Sequence, residues 1–388
     1  MTRSTLRPVR FDRRELAGAV ADLGVLVPIA VALIVKNGLS PTAVLLPAGL
    51  LYVGAALVYR LPVPVQPLKA FGAIAIAKGL GQDEIAAGAL LMGVIFLVGG
   101  QLGLVDLAGR AFPRALIRGV QLTVGLLFLK IAWGLVHHPP KGFREYALSP
   151  GWAIPLAAIG LVLTLTLRRR LVSLVLVATG IAAMLALAGG HAALGPSGIH
   201  VPSWNAHLVW DAFTVLVLAQ VPLTFANSCL APADAARSYF GEEADRVRPG
   251  RLASTLGLAN LFSAGISGMP VCHGAGGMTA HYAFGARTGG APLALGVSLI
   301  AVALGAGAGL GALLAAFPLT ILAALLGTAG LLHIGLLRDL RDVRHWVVAL
   351  TVGIVGFEVN LGLALAIGLA VWWIPVGAIR LRSALALG

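Results

Sequence analysis

Long apolar stretches alternate with short clusters of charge, proline and glycine along the whole chain. A helix that crosses a bilayer needs about 20 apolar residues. Cut at charges and turn residues, the first half divides into 15–36, 41–60, 62–79, 84–105, 113–136, 150–167 and 171–190. The second half divides into 208–230, 250–268, 270–285, 291–316, 318–337, 345–359 and 361–380. Segments 62–79 and 270–285 are short and interrupted by Pro or Gly. No polar stretch between segments is long enough for a separate soluble domain. The pattern predicts an all-α polytopic membrane protein of about fourteen segments in a single membrane domain, preceded by a basic tail over 1–14. That tail runs straight into a long apolar segment with no short apolar core and cleavage site, so no removable signal is expected.

Composition agrees. Of 388 residues, 59% are hydrophobic and 11% charged, against about 25% charged in a soluble domain. This excludes an ordinary soluble enzyme and a disordered chain. Cys229 and Cys272 lie in apolar context and supply no disulfide framework. The net charge of +13 invites a nucleic-acid reading, but the basic residues sort by side of the membrane. With the N-terminus inside and fourteen crossings, 22 of the 28 lysines and arginines fall on the inner side. Lys36, Lys78, Lys141 and Arg144 fall outside, and Lys69 and Lys130 lie within segments. Dropping one short segment would strand later arginines on the wrong side, against the positive-inside rule. Both termini are therefore expected in the cytoplasm, the chain in the inner membrane, and nucleic acid is not an expected partner. Trp133, Trp152, Trp204 and Trp210 mark the outer interface.

The halves resemble each other. Phe112-Pro113 and Phe317-Pro318 begin segments at an offset of 205, and Thr123-Val-Gly125-Leu-Leu matches Thr328-Ala-Gly330-Leu-Leu at the same offset. Pro64-Val65 matches Pro270-Val271 at 206. Seven crossings per half is odd, so repeats over 15–200 and 201–388 must be inverted. Inverted repeats that contain broken helices point to a secondary transporter.

The first break reads LPVPVQPLKA (61–70). Its prolines remove donors and force extended predecessors, so a half-helix should start near Pro67. The second, GMPVCHGAGG (268–277), replaces proline with glycine after Pro270. Inversion should make the two half-helix N-termini face each other. Each carries about +0.5 charge and free N–H groups, and Lys69 adds one unit. A site of about +2 suits a doubly charged oxyanion. Kinks without function, and a Lys69 that snorkels to an interface, are the plainer alternatives. The candidate binding residues are Gln66, Lys69 and Ala70 at the first break and Cys272, His273 and Gly274 at the second. Gln220 and Asn227, seven apart and so on one helix face, are candidate amide donors from the eighth segment; helix–helix hydrogen bonding is the alternative.

LAGAVADLGVLVPIAVAL (16–33), PVPVQPLKA (62–70), RGVQLTVGLLFLK (118–130) and MPVCHGAGGMTAHYAFGARTG (269–289) resemble the signature stretches of the molybdate transporter family related to sulfate permeases. The resemblance implies molybdate uptake on a seven-plus-seven inverted-repeat fold with a core domain and a gate domain. By the same resemblance the gate comprises segments five to seven and twelve to fourteen. Related sulfate permeases append a C-terminal soluble regulatory domain, which is not expected here.

Asp22, in the first of these stretches, is a candidate partner for Lys69, a site-lining group or a proton carrier. His273 could bind the oxyanion, carry a proton, or make a capping hydrogen bond. Gln121, nearer the inner face, ranks lower for contact. No metal site is expected, since no second Cys or His pair lies at ligand spacing, and no cofactor is expected. An intramembrane enzyme built on Cys272 and His273 lacks paired carboxylates or a dyad, and there is no phosphate-binding Gly-x4-Gly-Lys-Ser/Thr loop. The expected partners are molybdate, with sulfate or tungstate as alternatives, membrane lipid, a proton as candidate coupling ion, and a second copy in a candidate homodimer. A nucleobase permease is less favoured, because Gln220 stands where a carboxylate is expected and no acid occurs from 270 to 285.

Overall fold

The computed structural model describes residues 8–110, 112–140, 143–167, 169–187, 193–359 and 361–385. The start of the basic tail, with Arg3 and Arg7, and also Lys141, Arg168 and His191, lie outside the described residues.

The first half contains α1 (Arg13–Ala19), a 3-10 turn over Val20–Asp22, α2 (Leu23–Asn37), α3 (Pro41–Tyr59), β1 (Gln66–Pro67), α4 (Lys69–Lys78), α5 (Gln82–Gln101) and α6 (Leu104–Arg110). Then follow α7 (Arg114–His137), α8 (Pro150–Thr166) and α9 (Arg169–Leu187). The second half contains α10 (Ala206–Ala212), α11 (Leu218–Thr224), α12 (Ala231–Phe240), α13 (Pro249–Gly265), β2 (Val271–Cys272), α14 (Ala275–Phe284) and α15 (Gly290–Gly305). It ends with α16 (Leu310–Ala315), α17 (Leu319–Ile334), α18 (Val343–Glu358) and α19 (Leu361–Leu385). Phe213–Val217 and Phe225–Leu230 are π-helical.

Local chemistry sets these limits. Asp12 accepts from the amides of Arg14 and Glu15 to open α1. Ser40 accepts from the Ala43 amide, and Pro41 occupies the first turn of α3. Gly38 and Gly79 end α2 and α4 at φ of 72° and 63°, a conformation that costs glycine little.

Each of the fourteen expected segments contains a helix. Among the described residues, α3, α5, α7 and Leu319–Asp339 are long and apolar enough to cross a membrane by themselves. The pair Ala206–Val217 and Gln220–Arg246, bent by 51°, would make a fifth. Two of the other segments are interrupted. The 3-10 turn at Val20–Asp22 divides the first, and a break after Gly305 divides 291–316. Trp133, Trp152, Trp204 and Trp210 are all exposed.

Small residues bring helices into backbone contact. Gly49 of α3 and Gly296 of α15 face each other's carbonyls. Gly257 of α13 meets the backbone of Gly93 and Leu97 in α5, and Gly125 of α7 and Gly330 of α17 meet reciprocally. A methyl group at any of these positions would overlap backbone atoms.

The two breaks meet. β1 and β2 pair antiparallel, with Gln66 opposite Cys272 and Pro67 opposite Val271. The Leu68 amide donates to the Pro270 carbonyl at 3.1 Å. The short pairing satisfies backbone groups that the prolines and glycines withdraw from helix, as a buried chain must.

Candidate functional site

Extended backbone leads into α4 at Lys69, two residues later than the expected start at Pro67, and into α14 at Ala275. Neither helix has a capping side chain of its own; Leu68 and Gly274 hold the N-cap positions. The amides of Lys69 and Ala70, and those of Ala275 and Gly276, find no partner among the described residues. The Phe71 amide instead donates to Oε1 of Gln220 at 2.8 Å, and Gln220 Nε2 donates to the Thr224 hydroxyl at 2.9 Å. Gln220 thus caps α4 from another helix.

Lys69 is 8% exposed. Its Nζ donates to Gln66 Oε1 at 2.8 Å and stands 5.6 Å from the centre of the Phe128 ring. Among the described residues no carboxylate lies within ion-pair distance of it. A Cβ at Gly274 would stand 3.1 Å from Nζ and overlap Gln66 Oε1, so the ammonium lies against the N-cap residue of the other half-helix. Two positive elements therefore adjoin, which is unfavourable unless an anion joins them. Phe128 also covers Gly276.

Asp22 does not pair with Lys69 directly, because Gln66 stands between them. Gln66 Nε2 donates to Asp22 Oδ1 at 2.7 Å. Since Lys69 can only donate, the Gln66 amide has one admissible orientation. Asp22 Oδ2 accepts from the Tyr52 hydroxyl at 2.6 Å and pairs with His281 Nε2 at 2.8 Å.

Both ring nitrogens of His273 are engaged. Nδ1 donates to the Pro64 carbonyl at 2.9 Å, Nε2 shares a 2.9 Å hydrogen bond with the Thr255 hydroxyl, and the Tyr59 ring packs edge-on. The ring braces the opposite lead-in. Cys272 Sγ points to the Pro67 carbonyl at 3.6 Å, and Asn260 holds both backbone groups of Val271. Asn227 is buried and its Oδ1 has no partner among the described residues. The seven-residue spacing from Gln220 crosses from α into π geometry at Phe225. Gln121 accepts from Arg118 and belongs to a separate ionic cluster. Among the described residues no His, Cys, Asp and Glu group could hold a metal ion.

Tyr52, Phe128 and His281 belong to this network, yet sequence reasoning did not select them. His281 lay inside the distinctive 269–289 stretch, and an intramembrane histidine eight residues after His273 was the available signal.

The family described as "Molybdate transporter of MFS superfamily" matches residues 14–128 and 212–332. Molybdate transporter 2 of Arabidopsis thaliana is 27% identical over 364 residues, covering 82% of this chain and 77% of its own. Molybdate transporter 1 of Chlamydomonas reinhardtii is 28% identical, covering 92% of this chain and 90% of its own. The transmembrane domain of a cyanobacterial bicarbonate transporter superposes with a TM-score of 0.55 at 18% identity, covering 94% of this chain and 98% of that one. The last likeness fixes the fold.

Proposed function

The chain belongs to the molybdate transporter family, and from that premise we propose that it takes molybdate up across the cytoplasmic membrane by alternating access, holding the dianion between the N-termini of α4 and α14. The observation that carries this reading is Lys69, a buried cation without a carboxylate partner among the described residues, set against the N-cap residue of the facing half-helix. A buried charge without a counter-ion is costly. A doubly charged oxyanion supplies that counter-ion and also accepts from the unpartnered amides.

In this reading Lys69 gives the charge and the amides at Ala70 and beyond Gly274 give the donors. Gln66 aims Lys69, Gly274 leaves room, Cys272 and His273 hold the two lead-ins together, and Gln220 and Asn227 border the site from the eighth segment. The core domain comprises α1–α6 and α10–α16, and the gate α7–α9 and α17–α19. Helices α3 and α5 stand at an offset of 208 from α13 and α15. The α3–α15 and α5–α13 contacts therefore exchange under a two-fold relation, and α7 meets α17 at equivalent glycines. This supports inverted repeats.

Titration calorimetry on purified protein tests the site. Lys69→Gln should weaken molybdate binding more than about a hundredfold, the equivalent of about 3 kcal/mol, while the fold survives. Lys69→Arg should retain part of the binding. Parent-like affinity in Lys69→Gln would remove the site from Lys69. Competition by sulfate and tungstate, and uptake of labelled molybdate into liposomes, decide the preferred anion and the direction.

A further inference from the structure

We propose that His281 and Asp22 form a proton site filled together with the dianion, so that anion and proton are carried as one load. This rests on the reading of Lys69 as the anion's counter-charge.

Asp22 is 1% and His281 0% exposed. Three groups converge on the Asp22 carboxyl: Tyr52 and His281 on Oδ2, and Gln66 on Oδ1. Three donors around one carboxyl fit an ionised carboxylate, which accepts only. His281 therefore directs Nε2–H at Asp22. Its Nδ1 is buried and has no hydrogen-bond partner among the described residues. It is the atom of the network that can take a proton without displacing a bond.

Charge then decides the coupling. The two helix N-termini contribute about +1 together and Lys69 +1. Asp22, one amide away from Lys69, contributes −1. The sum of about +1 is half of what a dianion needs. One proton passing from water to His281 Nδ1 makes an imidazolium paired with Asp22 and restores about +2. The buried dianion in turn favours the proton, since linkage is reciprocal. Gln66 conveys the effect, because its amide touches Asp22 at one end and Lys69 at the other.

Other titratable groups on the elements around α14 are committed elsewhere or lie at the surface, as Arg13 and Arg14 of α1 do. Glu15 of α1 accepts from the amides of Arg287, Thr288 and Ala291. Arg114 and Arg118 of α7 bind Asp234 of α12 and Asp339. Tyr239 of α12 donates to Thr279 and stacks on Tyr282, Arg237 pairs with Asp245, and Lys130 is exposed over Phe357. His137 ends α7 at the surface against His138. The side chains of Arg169 and Arg170 in α9 and His333 in α17 lie outside the described ones.

The test is calorimetry of molybdate binding near neutral pH, where molybdate is the dianion, in two buffers of different ionisation enthalpy. The parent protein should take up about one proton per molybdate, and its affinity should tighten about tenfold per pH unit of acidification above the pair's titration. His281→Gln keeps a donor for Asp22 and cannot take the proton, so it should bind with no proton uptake and a flat pH profile. Proton uptake unchanged in His281→Gln, or none in the parent, overturns the proposal without touching the molybdate reading. The parent measurement needs no variant and stands even if His281→Gln fails to fold. No binding by the parent at any pH overturns both.

Discussion

Gly274 sits where a single methyl group would separate Gln66 from Lys69. Its Cβ would overlap Gln66 Oε1 and press on Nζ at 3.1 Å. Gly274→Ala should cost about 1–3 kcal/mol of stability through overpacking. It should also weaken molybdate binding by more than about tenfold, because the displaced ammonium leaves the facing amides. Thermal unfolding and calorimetry on the same preparation separate the two effects. Parent-like binding in Gly274→Ala would place the anion away from the α14 N-terminus.

The helix α4 begins without a capping side chain, because proline and leucine fill the positions where Ser, Thr, Asp or Asn would stand. Gln220 supplies that acceptor from α11. Gln220→Leu removes it and leaves a buried amide unsatisfied, which costs about 1–3 kcal/mol, and should open hydrogen exchange at Phe71. Gln220→Glu keeps the acceptor but buries a negative charge beside the site, so its melting temperature and molybdate affinity should both fall while exchange at Phe71 stays protected. Phe71 exchange that is unchanged in Gln220→Leu would show that Gln220 acts through something other than the cap.

Across the whole molecule, the wholly buried Arg118 ties α7 to α12 and to the end of the 335–339 turn through Asp234 and Asp339, with Arg114 joining the cluster at 2.8 Å from Asp339. In the proposed division this cluster spans the core and gate domains. Arg118→Met leaves two carboxylates without their main partner and should destabilise by about 3–5 kcal/mol, as for a broken buried pair. Thermal unfolding against the parent measures it.

The sequence by itself determined where the long apolar runs lie, where they break, and that Lys69 falls in the first turn of one half-helix and Gly274 at the second break. These are local properties: run length, proline's missing donor and glycine's missing side chain act within a few residues. The tertiary structure alone decided the partners. Asp22 meets His281 across 259 residues and Gln66 across 44, and nothing in the period of either segment indicates which polar group will stop opposite another. A π-helical turn at Phe225–Leu230 begins between Gln220 and Asn227, a change of geometry that the seven-residue spacing did not indicate. Arg118, which the charge pattern counted on the inner side, is wholly buried, because Asp234 and Asp339 from remote parts of the chain neutralise it there. Apolar periodicity fixes which face of an element is covered, whereas a buried polar group takes its meaning from the group that packing brings against it.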